Sequence, residues 1–199
     1  MTFIEHYSKW LARAAHGYIG QKRKYSGVRY TIHTEAVHAI VMRYGGTPYQ
    51  GAAAFLHDTF EDYVTKVKAE KRWIALYVFL FLFWLLPRQV KQLVHELTDV
   101  YTSENYPVKQ NPQWNRKWRK HQEAARIAKI SDAAKEVKLS DLFDNTSSIV
   151  NEDADFAITY LKEKHHMMKG LHGYHVNRDL YHLVENQLKQ NIDKLKVIV

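Results

Sequence analysis

The stretch AAAFLHDTFEDY, residues 52–63, joins an alanine-rich apolar run to four ionisable side chains, His57, Asp58, Glu61 and Asp62. Acidic side chains are rarely buried without a partner, so their place directly after a run that belongs in a core needs an explanation. The pattern predicts one helix over roughly 48–62, on which residues three and four apart share a face. Three carboxylates on one face repel one another, and a bound divalent cation is the simplest compensation.

An imidazole beside a carboxylate suits manganese, iron, nickel or zinc better than calcium. Two ligands do not complete a site, so further ligands must come from elsewhere in the chain. Candidates are His33 and the downstream stretch VKLSDLFDN, residues 137–145, which offers Asp141, Asp144 and Asn145. Taken singly, each is more often an ordinary structural residue. Together they support the hypothesis of one metal ion held by His33, His57, Asp58 and Asp141.

Composition sets wider bounds. A chain of 199 residues with 46% hydrophobic and 25% charged side chains is typical of one globular domain. It has no cysteine, which excludes a disulfide scaffold and any cysteine-based metal site or nucleophile. The first residues lack the pattern of a signal peptide, and we expect a cytoplasmic protein. The net charge of +8 favours an anionic partner, whether a nucleotide, a nucleic acid or an acidic membrane surface, unless it is only a solvated surface.

Helical periodicity of apolar residues runs through most of the sequence, and alternating strand patterns are absent from it. Besides the segment already described, helices are predicted over roughly 3–16, 34–44, 88–100, 113–129, 132–149, 153–168 and 177–197. Loops are predicted at 20–32 and 101–112. There is no Gly/Ser-rich linker, so the sequence predicts one all-α domain.

Residues 73–86, WIALYVFLFLFWLL, form an unbroken apolar run. A membrane span needs about 20 such residues, and a shorter run is more often a buried or interfacial helix. Basic residues flank the run on both sides. We expect a helix buried in the core or in a homodimer interface, in preference to membrane contact.

Several motifs in fixed order resemble one known family. HDTFED is preceded by GQKRKYSG, residues 20–27, and by a tyrosine shortly before His33; it is followed by ELTD, residues 96–99, and by VKLSDLFDNTSSI. This set resembles the HD-superfamily hydrolase domain of the RelA/SpoT type, and in particular the small stand-alone alarmone hydrolases. The resemblance implies a single compact HD-domain helical bundle over 1–199, with a core at about 10–165 and C-terminal helices over 166–199.

The same resemblance implies a chemistry. It implies one bound Mn²⁺ and hydrolysis of the 3′-pyrophosphate of guanosine tetra- or pentaphosphate to GDP or GTP and pyrophosphate. The implied metal ligands are His33, His57, Asp58 and Asp141. Glu61 and Asp62 match the pair that orients and deprotonates the attacking water. The implied substrate contacts are Arg23 and Lys24 beside the phosphates, and Asn145 and Ser148 at the ribose or phosphate.

A second basic cluster, WNRKWRKH at 114–121, offers two readings. Arg116 and Lys117, with Lys138 further on, are candidates for the rim of an anionic pocket. Tryptophans interleaved with cations are also found on surfaces that bind single-stranded nucleic acid. We favour an amphipathic helix that contributes to the pocket rim, and we disfavour a nucleic-acid surface.

The chain departs from the family around the predicted site. Arg29 and Thr34 stand where the family usually has proline, and the segment between HDTFED and ELTD is longer than usual. The reaction type is therefore better supported than the substrate. A phosphohydrolase acting on ppApp, NADPH or a deoxynucleotide remains an alternative, as does a basic, metal-containing module that binds nucleic acid.

Overall fold

The computed structural model describes the backbone of residues 1–198 and the side chains of residues 1–195. Helices account for most of the described chain, and the all-α prediction is confirmed. Its contacts divide into two compact units, Met1–Thr98 and a second that begins at Asp99. The prediction of one domain over 1–199 stays a prediction, and each unit is described separately.

The first unit contains six helices among its described residues: α1 (Phe3–Tyr18), α2 (Thr31–Arg43), α3 (Pro48–Leu56), α4 (Thr59–Ala69), α5 (Trp73–Trp84) and α6 (Arg88–Leu97). Helix α3 is central, because α1, α2 and α6 all pack against it. Its alanine-rich run is fully buried, with Ala52, Ala53 and Ala54 at 0% exposure. Small side chains let neighbouring helices approach closely. The alanine run therefore places the end of α3 in the middle of the unit.

The prediction of one continuous helix over 48–62 is wrong. Helix α3 ends at Leu56 and α4 begins at Thr59, so His57 and Asp58 lie between two helices. The ring of His57 bonds to the Ala54 carbonyl through Nδ1 at 2.8 Å, back along the last turn of α3. The four ionisable residues therefore do not share a face of one helix. His57 and Asp58 are separated by the break from Glu61 and Asp62, which lie in the first turn of α4.

The apolar segment 73–86 is helical but mostly exposed, which corrects the expectation of a helix buried in the core. Leu76, Phe79 and Leu86 are buried. The exposed apolar face consists of Trp73, Ile74, Tyr77, Val78, Phe81, Trp84 and Leu85, each at least half exposed. None of the described helices is long and apolar enough to cross a membrane. The predicted dimer interface stays a prediction.

The second unit contains, among its described residues, α7 (Arg116–Ile127), α8 (Asp132–Thr146), α9 (Ile149–Glu152), α10 (Ala154–Met168), a 3₁₀ turn (Lys169–Leu171) and α11 (Arg178–Ile198). Helix α8 packs on α11, and α10 packs on both α7 and α11. Much of helix α8 is buried, and its residues Val137, Leu139 and Leu142 are at 0% exposure. The polar residues Lys138, Ser140 and Asp141 of the same helix are also buried, whereas Asp144 and Asn145 are half-buried.

At Gly51 helix α3 lies close to its neighbours. A Cβ atom there would lie 2.8 Å from Oε1 of Glu5 and 3.0 Å from Sδ of Met42. Glu5 is buried and cannot move freely, because its carboxylate caps α1 at Thr2 and bonds Nε2 of His38 at 2.9 Å. The glycine is therefore required by packing within a helix.

We expect Gly51→Ala to lower the free energy of unfolding by about 1–3 kcal/mol, because overpacking outweighs the better helix propensity of alanine. Urea denaturation measures this. Gly17→Ala is the matched control, since a Cβ at Gly17 in α1 would meet nothing within 4 Å. Equal stabilities for the two variants would contradict the packing argument.

Candidate metal centre

Three predicted ligands converge in the first unit. His33 comes from the first turn of α2, whereas His57 and Asp58 come from the break between α3 and α4. The Nε2 atoms of the two histidines are 3.3 Å apart. Asp58 Oδ2 lies 3.0 Å from Nε2 of His57 and 3.6 Å from Nε2 of His33. Both imidazoles are buried, at 0% and 2% exposure.

The donor set fits a metal ion. In His57 the Nδ1–H donates to the Ala54 carbonyl, so in the neutral ring the lone pair lies on Nε2. That lone pair is on the nitrogen that approaches His33 and Asp58, as a metal ligand requires. Atoms separated by 3.0–3.6 Å can share one divalent ion whose bonds to nitrogen and oxygen are about 2.0–2.2 Å long.

Tyr30 supports the cluster from one side. Its hydroxyl donates to Oδ2 of Asp58. Its ring packs edge-on against His33, with centroids 5.2 Å apart. The tyrosine therefore orients one ligand by a hydrogen bond and a second by packing. A tyrosine shortly before His33 belonged to the predicted motif, but its contact with Asp58 was not predicted.

Asp62 is held by a chain of hydrogen bonds that the sequence did not reveal. Nε2 of Gln21 donates to Oδ2 of Asp62 at 2.7 Å, and Oε1 of Gln21 accepts from Nδ1 of His16. Nε2 of His16 in turn accepts from the Thr59 hydroxyl at 3.0 Å. These contacts join the Asp62 carboxylate to α1 and to the start of α4, and they hold it in place.

The electrostatics of Asp62 suit proton transfer near neutrality. Burial raises the pKa of the Asp62 carboxyl to about 6, and repulsion from Asp58 acts in the same direction. The hydrogen bond from Gln21 opposes this rise by favouring the charged form. Glu61, next to it in α4, is half-buried. The catalytic roles predicted for both carboxylates stay predictions.

The fourth predicted ligand, Asp141, lies in α8 of the second unit and is buried at 3% exposure. Nζ of Lys138 lies 2.9 Å from Oδ2 of Asp141. The Asn145 amide donates to Oδ1 of Asp141. Two of the predicted substrate contacts, Lys138 and Asn145, are thus brought together around the carboxylate of a third predicted residue.

Two further lysines accompany Lys138, and the sequence did not single them out. Burial lowers the pKa of Lys164, and the charge of Lys138 lowers it further. Burial likewise lowers the pKa of Lys120, whose ammonium lies 3.7 Å from Oδ2 of Asp99. Three amino groups therefore share one region of the second unit. We call Lys120, Lys138 and Lys164 the lysine cluster.

The remaining predicted contacts are scattered. Arg116 is engaged by Glu163 through two hydrogen bonds of 2.8 Å, and its guanidinium lies over the ring of Phe156. Lys117 is exposed in the same helix. Ser148 is half-buried at the start of α9. In the first unit, Arg23 is half-buried and Lys24 is exposed, with its ammonium 3.0 Å from the Tyr25 hydroxyl.

Comparison with known proteins supports the fold. The sequence matches no protein-family model and no curated protein. A solved structure of a metazoan ortholog of SpoT, a protein that hydrolyses ppGpp and plays a role in starvation responses, matches with a TM-score of 0.70 at 21% identity. The match covers 96% of each chain. The chain therefore shares the fold of this solved structure, and the resemblance seen in the motifs is confirmed at the level of fold.

His16 makes folding stability depend on pH. Burial holds the pKa of His16 below its ordinary value of 6.5. The unfolded chain therefore takes up the proton first as the pH falls, and the contribution of His16 to stability is lost below about pH 6.5. We expect the free energy of unfolding to be less sensitive to pH in His16→Gln, by up to about 1.4 kcal/mol per pH unit. Urea denaturation of chelator-treated protein between about pH 5 and 8 tests this; an unchanged slope would contradict it.

Proposed function

We propose that the chain is a metal-dependent phosphohydrolase that removes the 3′-pyrophosphate of guanosine tetra- or pentaphosphate, giving GDP or GTP and pyrophosphate. The observation that carries the proposal is the convergence of two buried imidazole nitrogens and the Asp58 carboxylate within 3.0–3.6 Å. The solved structure that shares the fold belongs to a protein that hydrolyses ppGpp. The proposal includes one HD domain over 1–199 and a cytoplasmic location.

We propose His33, His57, Asp58 and Asp141 as the ligands of one divalent ion, with Mn²⁺ as the expected metal. Three of the four, His33, His57 and Asp58, converge within the first unit. Imidazole and carboxylate are ligands that suit manganese, iron, nickel and zinc. A divalent ion held there would lower the pKa of a coordinated water from 15.7 towards about 7.

In the proposal, Glu61 and Asp62 orient the attacking water and accept its proton at their carboxylate oxygens. A base is most effective when its pKa lies near the working pH, and the pKa of Asp62 is raised to about 6. Gln21 holds Asp62 through its amide, and His16 holds Gln21. The carboxylate is thus positioned before any substrate binds.

Charge supports an anionic substrate. We propose that Arg23 and Lys24 stabilise the negative charge that develops on the departing pyrophosphate. The lysine cluster supplies further cations in the second unit, and Lys138 is proposed to reach the phosphates. Asn145 and Ser148 are proposed to contact the ribose or phosphate. Arg116 and Lys117 are proposed for the pocket rim. Arg116 forms an ion pair with Glu163, so contact with a phosphate would require its guanidinium to break that pair or to bind both anions.

The proposal is tested with a panel of nucleotides, namely ppGpp, pppGpp, ppApp, NADPH and deoxynucleotides, assayed with Mn²⁺ for released phosphate and pyrophosphate. We expect pyrophosphate from ppGpp and pppGpp. Asp58→Ala and Glu61→Ala should each reduce the rate by at least about 100-fold, because one removes a metal ligand and the other a general base.

The other outcomes of the panel identify the alternatives. Turnover of another nucleotide alone would keep the reaction type and replace the substrate. No turnover at all, together with salt-dependent nucleic-acid binding that survives Asp58→Ala, would replace the enzyme by a binding module.

Tyr30→Phe should weaken Mn²⁺ binding by about tenfold, because it removes the hydrogen bond to Asp58 while keeping the ring against His33. Titration calorimetry of the chelator-treated protein measures the affinity without any substrate. Tyr49→Phe is the control, since Tyr49 lies at the exposed start of α3. Equal affinities in the two variants would remove Tyr30 from the support of the site.

A further inference from the structure

The first unit contains a cavity of about 580 Å³ whose lining carries three cations and no carboxylate. The cations are Arg13, Lys22 and Arg29, and we call this space the basic cavity. A volume of this size is typical of a site for a small molecule. None of the three side chains belongs to the metal or substrate contacts proposed above.

Lys22 and Arg29 face each other in an unfavourable arrangement. They form an isolated antiparallel bridge, and backbone bonds run from Arg23 N to Val28 O and from Tyr30 N to Gln21 O. This pattern makes the two residues a pair without mutual hydrogen bonds, the class in which opposite side chains lie closest. Like charges directly across a bridge destabilise it. The backbone thus brings two cations together at the wall of a cavity.

Neither cation is neutralised by the part of the chain that the structure describes. No carboxylate within 4.0 Å pairs with Lys22 or Arg29 there. The third cation differs, because Arg13 bonds Glu35 at 2.7 and 3.0 Å. Glu35 also pairs with Lys9, so it offers no spare charge to the cavity.

We propose that the basic cavity binds the phosphate groups of a ligand, with Lys22 and Arg29 as the two contacts that select it. A phosphate between the two side chains would turn their repulsion into two attractions. The guanidinium fork of arginine can engage two phosphate oxygens at once, and lysine contributes a point charge. Arg23 and Lys24, the contacts proposed for the departing pyrophosphate, do not line this cavity, and the inference does not rest on the proposed reaction.

The wall of the cavity also connects it to the candidate metal centre. His16, Gln21 and Tyr30 line the cavity. The same Tyr30 bonds Asp58, and the same Gln21 bonds Asp62. The phosphate could therefore come from two sources, either the far end of the nucleotide substrate or a separate phosphate compound that binds beside the site.

The first experiment uses inorganic pyrophosphate and chelator-treated protein, so that no metal contributes to anion binding. Pyrophosphate that binds the folded chain raises Tm by linkage. We expect this rise in the wild type and in Lys68→Gln, a control that removes the same charge from an exposed position in α4. In Lys22→Gln and Arg29→Gln the affinity should fall by about tenfold and the rise should shrink accordingly. Arg29→Lys keeps the positive charge but loses the guanidinium fork, so it should retain part of the rise in Tm.

Three results would overturn the proposal. They are no rise in the wild type, an equal rise in all variants, and a rise that is lost in Lys24→Gln but kept in Lys22→Gln and Arg29→Gln. The last would place the anion at the contacts proposed for the departing pyrophosphate.

Steady-state kinetics then show whether the bound phosphates belong to the substrate or to a separate compound. The assay uses whichever nucleotide the protein hydrolyses. If the phosphates belong to the substrate, Lys22→Gln and Arg29→Gln raise KM by about tenfold and leave kcat unchanged. If they belong to a separate compound, KM is unchanged in Lys22→Gln and Arg29→Gln, although pyrophosphate still raises the Tm of these variants less than that of the wild type. Both outcomes support the site, and the pyrophosphate result stands even if no nucleotide is hydrolysed.

Discussion

The first unit depends on the close approach of His33, His57 and Asp58. Two nitrogen lone pairs and a carboxylate oxygen cannot be stable at 3.0–3.6 Å inside a protein unless a cation or protons lie among them. The surrounding structure holds them there nonetheless. The alanine run of α3 buries the approach to His57, the break before α4 turns Asp58 towards it, and Tyr30 fixes the carboxylate. The unit is thus built around an electrostatic cost that one bound ion would reverse.

Periodicity predicted where most helices lie, because each has one apolar side that must be buried. It failed at His57 and Asp58, since nothing in the residues HDTF requires a helix to stop there. The break lies where His57 and Asp58 meet His33 of α2, and α4 beyond it packs on α1 and α5, so contacts distant in the sequence accompany it. Periodicity also could not place α5, because a helix that is apolar on all sides carries no information about which side faces the core.

The proximity of His33, His57 and Asp58 was accessible from the sequence, because these residue types stand in motifs that resemble a known metal-binding family. The groups that support the ligands were not. Gln21 meets Asp62 across 41 positions of the chain. His16 lies in α1, outside the motifs described above. Such residues can be recognised only when a structure shows the hydrogen bonds that join them. The same holds for Lys22 and Arg29, which become a pair only because the loop between them closes into a bridge.

The exposed apolar face of α5 has a consequence for how the protein behaves in bulk. Contiguous apolar surface of this kind marks a region that associates with something else. The rate at which two such faces meet grows with the square of the protein concentration. Salt also weakens the electrostatic repulsion between chains that each carry a net charge of +8. Concentration and ionic strength are therefore the variables that decide whether a purified sample remains dispersed. The residues that control this lie in the segment 73–86, which contains no predicted metal ligand or catalytic residue.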